Sequence, residues 1–232
     1  MARSSYAGLG VFKSEDAGKT WQHMGLEGTY HVPRVVIDPE NPEIVYVAAL
    51  GHNYTYNDER GVYKTTDGGK NRERLSNGIP VGDYVGRFGL AIAPTNPDVL
   101  YAILDNQKPD STQRRGKVGG ELYRSDDKGE SWVKTHTGPF PTNIGYDFCL
   151  VRVSPDNEDE VFVPAWKLIH SKDGGKTFEY TGDTIVHILS HDIRVMHLDM
   201  HEMWIDPMNP DRLLLGNDGG LYCCSHEFIL AS

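Results

Sequence analysis

The sequence predicts an all-β protein built from four-stranded antiparallel units that repeat in tandem. Three observations lead to this prediction. One turn motif occurs four times along the 232 residues, a second turn motif alternates with it, and a short apolar run follows the copies of the second motif. Because two independent motifs share one period, each period is interpreted as one structural unit.

The first motif has the pattern Ser/Thr-x-Asp-x-Gly-x-Thr/Ser-aromatic, and each copy is called an Asp turn below. Clear copies occupy residues 14–21, 125–132 and 171–178, whereas the copy at 65–72 lacks the final threonine and aromatic residue. The short polar side chains are expected to bond to backbone N–H groups a few residues further on, and the aromatic ring is expected to cover the sheet. The glycine allows a backbone conformation that a Cβ atom would penalise. We therefore expect a structural role for Ser14, Asp16, Gly18, Trp21, Asp67, Asp127, Trp132, Asp173 and Phe178.

The second motif is centred on proline and asparagine. Its copies lie at residues 37–42, 92–97, 153–157 and 205–210, and apolar runs such as 44–48 follow them. Proline cannot donate to a β-ladder and favours turns, so the motif predicts a hairpin between two strands, A and B. A third strand, C, then leads into the Asp turn, and a fourth strand, D, leaves it. Four-stranded units of about 40–50 residues in tandem are typical of β-propeller blades.

The spacing divides residues 1–232 into one propeller domain. We expect a partial blade at 1–24, blades at 30–78, 84–136 and 146–182, and a partial blade at 197–232. The first unit begins at its strand C, and the last one reaches residues 224–228 where a further Asp turn is expected. The pattern therefore predicts an incomplete propeller, with about three full and two partial blades, that belongs to a longer chain.

Composition excludes some classes of function. The chain has 23 Lys and Arg against 33 Asp and Glu, a net charge of −10, which disfavours binding to nucleic acid. It contains no run of about 18 apolar residues, so no membrane span is expected. The opening residues lack the apolar core of a signal peptide. The three cysteines have neither the number of a disulfide framework nor the spacing of a metal site.

Several stretches resemble the bacterial neuraminidase repeat family, also known as the Asp-box family, and within it the glycosyl hydrolase-like and sortilin-like repeat proteins of bacteria. The matching stretches are 45–52, 59–69, 86–90, 201–207 and 215–220. The family includes sialidases, xyloglucanases and the sortilin-type receptor propeller. The resemblance implies a β-propeller in an extracellular or periplasmic location. It leaves the activity open, because one fold supports many functions.

Candidate binding residues lie on the face opposite the Asp turns, where the B–C loops and the D–A connections meet. The loop at 52–60 contributes His52, Tyr54, Tyr56 and Arg60, whose aromatic rings are able to stack on a sugar or hold a peptide. The alternative is a solvated loop whose tyrosines cover a neighbouring blade. Residues 105–119, which include Arg114 and Arg115, are expected to form a long, polar, mobile loop.

Two further sets of residues are candidates. Asp83 and Arg87 lie at a D–A junction, where Arg87 either reaches the channel mouth or forms an ion pair between blades. His197, Asp199 and His201 alternate along a predicted strand A and therefore share one face. Two histidines and a carboxylate suit a divalent metal ion, which is the one cofactor that the sequence suggests. The alternative is a hydrogen-bonded polar cluster without metal.

Two functional hypotheses remain. A glycoside hydrolase, sialidase-like or xyloglucanase-like, needs two opposed carboxylates about 5–9.5 Å apart or a tyrosine nucleophile with its acid partner, and a sialidase also needs arginines that clamp the substrate. No motif selects such a pair, and Arg34 and Arg87 occupy different positions in their strands. We therefore expect a non-catalytic recognition or scaffold module of a larger protein that binds a peptide, a protein or a glycan.

Overall fold

The computed structural model describes residues 7–52, 55, 58–138, 140–142, 144–145, 148–180 and 199–225. These residues contain β-strands and no helix, and so no helix that could cross a membrane. The strands are β1 (Phe12–Lys13), β2 (Gln22–His23), β3 (Arg34–Ile37), β4 (Val45–Ala49), β5 (Gly61–Thr65), β6 (Glu73–Leu75), β7 (Val85–Ala93), β8 (Asn96–Pro109), β9 (Lys117–Ser125), β10 (Val133–Lys134), β11 (Arg152–Val153), β12 (Val161–Pro164), β13 (Leu168–Ser171), β14 (Glu179–Tyr180), β15 (Met200–Asp206), β16 (Asn209–Asn217) and β17 (Gly220–Ser225).

The strands form a series of antiparallel sheets in chain order. Strands β3–β6, β7–β10 and β11–β14 each make a four-stranded sheet, with β1–β2 before them and the three-stranded sheet β15–β17 after them. Each four-stranded sheet packs on the next through its first strands, β3 and β4 against β7, and β7 against β11. The predicted all-β fold of four-stranded antiparallel blades is confirmed.

The proline-centred motif makes the hairpin between the first two strands of a sheet. In the β3–β4 hairpin, one carboxylate oxygen of Asp38 accepts the N–H groups of Glu40 at 2.8 Å and Asn41 at 3.2 Å. This closed turn sets the register that pairs Ile37 with Val45. Because side chains alternate along a strand, that register decides which residues of β4 face each neighbouring sheet.

The hydrophobic core lies between successive sheets. Strand β8 shows this most clearly, because Leu100, Ala102 and Leu104 belong to the cluster with the preceding sheet. The residues between them, Tyr101 and Ile103, belong to the cluster with the following sheet. A strand that is buried on both sides reads as a continuous apolar run, which explains residues 99–104. Full burial of each large aliphatic side chain contributes about 1.5–3 kcal/mol.

The second four-stranded sheet carries a long hairpin. Strand β8 continues to Pro109 and strand β9 begins at Lys117, with pairs as far as Pro109–Lys117. The expectation of a polar loop over residues 105–119 is therefore wrong, because only 110–116 lie outside the strands. Apart from the buried Asp105, the polar side chains at 106–108 are found on a strand that extends beyond the hydrophobic core, where they are partly or fully exposed to solvent.

Candidate binding face

The antiparallel topology gives the arc of sheets two distinct faces. The lower face carries the A–B hairpins and the Asp turns, which join β1 to β2, β5 to β6, β9 to β10 and β13 to β14. The upper face carries the links between the second and third strands of each sheet and the links from one sheet to the next. The long β8–β9 hairpin projects from the upper face.

Each Asp turn is closed by its own aspartate. In the first, Asp16 accepts the backbone N–H of Thr20 at 2.8 Å with one oxygen and the Thr20 hydroxyl at 2.7 Å with the other. The degenerate copy keeps this geometry, because Asn71 donates its backbone and side-chain N–H groups to Asp67 at 2.8 and 2.7 Å. Asn71 thus replaces the missing threonine. Asp127 and Asp173 make the equivalent bonds in the other two turns.

These hydrogen bonds stabilise the ionised carboxylates. The backbone N–H and then the side chain of residue 20 lower the pKa of Asp16 to about 2, and the same groups of Asn71 do so for Asp67. Ser14, Thr65, Ser125 and Ser171 donate to the aspartate of their own turn as well. Each carboxylate is therefore hydrogen-bonded within its own turn on the lower face, and the four carboxylates do not converge on a common ligand site.

The aromatic residues of the Asp turns differ in burial according to what packs on them. The indole N–H donates to the turn glycine in both tryptophan copies, Trp21 to Gly18 at 3.1 Å and Trp132 to Gly129 at 3.0 Å. Trp132 is 3% exposed within the core between the first two four-stranded sheets, whereas Trp21 is 63% exposed. Phe178 packs edge-to-face on Phe140.

The first candidate loop contributes a structural arginine to the upper face. Arg60 is buried, and its guanidinium donates to the carbonyls of Leu50 at 2.7 Å, Val85 at 3.0 Å and His52 at 2.5 Å. These bonds join the β4–β5 link to the start of β7 in the next sheet. Its charge is directed into the protein, and Tyr54 and Tyr56 lie outside the described residues.

A basic cluster lies where the first sheets meet at the upper face. The ring of His52 packs on Tyr30 with centroids 3.8 Å apart. Burial, followed by the proximity of His52 and Arg87, lowers the pKa of His31. His52 and Arg87 therefore both lie within electrostatic range of His31, and Asp83 is exposed on the link between β6 and β7.

The predicted metal residues are only partly described. His197 lies outside the described residues, Asp199 precedes β15 in a left-handed conformation with φ of 64°, and His201 bonds to Asp218 at 2.8 Å. A register shift after Met200 places Met200 and Met203 in the core and exposes His201. Within the described ranges, no three or more His, Cys, Asp or Glu side chains are placed to hold a metal ion.

Arg152 on β11 braces two neighbouring sheets. Arg152 on β11 donates to the carbonyls of Met203 at 3.0 Å and Val151 at 2.8 Å, and to the carboxylate of Glu202. Burial, and next the charge of Arg152, lower the pKa of Arg34 on β3. The donors of Arg152 are thus used between neighbouring sheets, as in an interblade brace.

The long hairpin encloses a cleft on the upper face that the sequence did not reveal. The cleft has a volume of about 190 Å³ and runs between residues 113–120 of the hairpin and the link that precedes β11. Its basic lining residues are Arg114, Arg115 and Lys117, and its apolar ones include Phe140 and Ile144. The sequence singled out Arg114 and Arg115 but not the residues on the opposite wall of the cleft, which lie more than twenty positions further along the chain.

A buried ion pair supports the base of this hairpin. Asp105 is 2% exposed, and both of its oxygens lie 2.8 Å from the ammonium group of Lys117. A buried carboxylate needs such a partner because desolvation is costly. Lys117 therefore fixes the two strands relative to each other, while Arg114 and Arg115 are exposed at the tip.

A second cavity of about 320 Å³ lies away from this face. It separates β1–β2 from the sheet β3–β6, and its apolar walls include Phe12, Val35, Ile37 and Val47. Phe12, Val35 and Ile37 are exposed by 41–55%. Because the cavity lies between two sheets and is lined mainly by aliphatic groups, we assign it to blade packing.

Comparisons with known proteins identify the fold. No protein-family model matches the chain, and a search of curated proteins gives no match. A GH74 xyloglucanase from Xanthomonas campestris superposes with a TM-score of 0.65 at 19% identity, over 93% of this chain and 33% of that one. A GH74 enzyme from Niastella koreensis gives 0.62 at 20% identity, over 93% and 33%.

A third structure extends this likeness beyond GH74. The extracellular domain of a hybrid two-component system from B. thetaiotaomicron gives a TM-score of 0.54 at 14% identity, over 89% of this chain and 25% of that one. This chain therefore spans a third or less of each of these three proteins. At these identities the likeness shows the β-propeller fold and does not extend to an activity.

Proposed function

We propose that this chain is a non-catalytic recognition module of a larger protein and binds a peptide, a protein or a glycan on its upper face. The observation that carries the proposal is the β8–β9 hairpin with its cleft. Beyond the pair Leu104–Glu121, five residues of β8 continue as far as Pro109. At about 3.4 Å per residue they extend the sheet by roughly 17 Å.

The hairpin and its cleft suit recognition. The cleft combines guanidinium groups with the rings and aliphatic groups of Phe140 and Ile144, a mixture typical of ligand sites. Its supporting carboxylate, Asp105, is paired with Lys117 and nearly inaccessible, so it suits support of the hairpin better than proton transfer to a substrate. The carboxylate of Asp218, in the link between β16 and β17, is likewise occupied, in this case by a bond to His201.

A parallel assay of binding and hydrolysis tests this function. The full chain is applied to immobilised panels of peptides and glycans, and the same preparation is incubated with xyloglucan, sialyl and aryl glycosides. We expect binding without turnover. Hydrolysis that Asp105→Asn abolishes at an unchanged thermal midpoint would overturn the proposal in favour of a glycoside hydrolase, and so would a protein that binds neither panel yet cleaves a glycoside.

A further inference from the structure

We propose that the cleft beside the β8–β9 hairpin binds an acidic peptide in an extended conformation, aligned along the outer edge of β9. This inference rests on the proposed recognition function and names the partner for that face. It follows from three properties of the described residues: a strand edge without a partner strand, a concentration of positive charge, and a hairpin tip that is closed by its own hydrogen bonds.

The outer edge of β9 is only partly covered. Strand β10 pairs with Tyr123 and Arg124 alone, so in the described sheet no strand pairs with that edge from Lys117 to Glu121. The backbone groups of Leu122 face outward, since its N–H bonds to His136 at 3.3 Å and its carbonyl to Thr135 at 2.9 Å. Alternate residues share an edge, which gives the same direction to Gly120. A peptide strand is able to pair with such groups.

The cleft follows this uncovered edge and has room for an added chain. Residues 117–120 form one wall, and Phe140, Thr142 and Ile144 contribute to the other. The cleft between these walls has a volume of about 190 Å³. Gly120 packs closely beneath Ile144, which would lie 2.7 Å from a Cβ at that position. The wall at Ile144 is therefore held against β9.

The charge of the cleft is opposite to that of the chain. The protein has a net charge of −10, yet the lining contains Arg114, Arg115 and Lys117, and none of its described residues is acidic. Asp105 neutralises Lys117, which leaves the two exposed arginines for a ligand. Guanidinium groups bind carboxylates in a bidentate manner, and an extended peptide presents every second side chain on one side. Acidic residues at alternate positions fit both features.

The tip holds its arginines in a closed turn. The N–H of Asp110 donates to the carbonyl of Gly116 at 2.9 Å, and the N–H of Gly116 donates to that of Gln113 at 2.9 Å. The carboxylate of Asp110 accepts the N–H of Thr112 at 2.9 Å and its hydroxyl at 2.6 Å. The hydroxyl and then the N–H of Thr112 lower the pKa of Asp110. Because the backbone of the turn is already closed, binding requires little further ordering of the backbone at the tip.

Fluorescence anisotropy with a labelled peptide of alternating glutamate and valine tests this inference. We expect the full chain to bind it, and to bind the glutamine analogue about tenfold more weakly. The double variant Arg114→Ala/Arg115→Ala should weaken binding of the acidic peptide about tenfold as well. The matched control Lys172→Ala/Lys176→Ala removes the same charge from an Asp turn on the lower face and should bind like the wild type.

A proline variant separates strand addition from simple charge attraction. Val118→Pro removes a backbone N–H group from the uncovered stretch of β9 without changing the charge, and its thermal midpoint reports whether the fold is kept. If β9 pairs with the peptide, a folded Val118→Pro protein binds it at least about tenfold more weakly. Unchanged affinity in this variant would exclude pairing with β9.

Other outcomes distinguish this inference from the function on which it rests. Equal affinity for the glutamate and glutamine peptides, or equal loss in the control variant, would overturn the acidic-peptide inference. Binding of oligogalacturonate but not of the acidic peptide would overturn it as well, and would leave recognition on the upper face intact. Absence of binding to every peptide and glycan in the panels would contradict both.

Discussion

The hydroxyl of Tyr46 donates a hydrogen bond of 2.8 Å to the carbonyl of Lys128, and so joins strand β4 to the Asp turn of the next sheet. One blade later, the hydroxyl of Tyr101 donates to the carbonyl of Glu158 at 2.8 Å, in the hairpin between β11 and β12 of the next sheet. Both side chains are fully buried between sheets. The turns of the lower face therefore also fasten successive blades together.

The tyrosine contact predicts a specific loss of stability. Tyr46→Phe keeps the buried ring but leaves the carbonyl of Lys128 without this donor, so the free energy of unfolding should fall by about 1 kcal/mol. Denaturant unfolding measures the change. Tyr222→Phe on the last sheet is the control and should have little effect, whereas equal losses in the two variants would show that the contact between blades adds nothing.

The Asp turns predict stability that depends on pH. The folded pKa of Asp67 is about 2, below its ordinary value of 3.8, so its contribution is present above about pH 4 and is lost as the pH falls towards 2. Asp67→Asn should lower the thermal midpoint at neutral pH and reduce its change between pH 4 and 2. Thermal melts across this range measure both effects.

The exposed Asp83 lies outside the four Asp turns and provides the control for this series. Asp83→Asn should retain the pH profile of the wild type. A wild-type profile in Asp67→Asn would contradict the assignment of the low pKa to the turn.

Strand β7 contacts the link before β11 so closely at Gly89 that we expect a larger residue there to destabilise the protein. A Cβ atom on Gly89 would lie 2.0 Å from the carbonyl oxygen of Cys149, whose thiol donates to the carbonyl of Arg87 at 3.1 Å. Gly89→Ala should therefore destabilise the protein by on the order of 3 kcal/mol, as measured by urea unfolding. Gly216→Ala, where the nearest atom lies at 3.9 Å, is a strand control and should be nearly neutral.

The repeat and its turns could be predicted from the sequence, whereas the contacts of the upper face could not. Asp turns and proline hairpins are local, because Asp16 bonds to Thr20 and Asp38 to Asn41, and short-range contacts are visible as motifs. Asn71 follows the same local pattern, because its backbone N–H and its side-chain amide take the place of the backbone N–H and the hydroxyl of threonine. No such pattern reveals that Arg60 bonds to Val85 in the next sheet.

Two differences from the sequence-based expectations have a physical cause. Polar residues at 105–109 resemble a loop because the strands there extend past the core, although Asp105 is buried against Lys117. The shift after Met200 interrupts the alternation that the sequence implied for His201. Both features depend on pairing between strands, which a pattern along one strand does not contain.

One measurement tests the central claim that the lower face maintains the fold while the upper hairpin binds. Asp127→Ala and Arg114→Ala/Arg115→Ala are compared in parallel for thermal midpoint and for affinity towards the labelled acidic peptide, well below either midpoint. We predict that Asp127→Ala lowers the midpoint through the loss of about 1 kcal/mol and keeps its affinity, while the arginine variant keeps its midpoint and loses affinity. An Asp127→Ala protein with a wild-type midpoint and no binding would contradict the account.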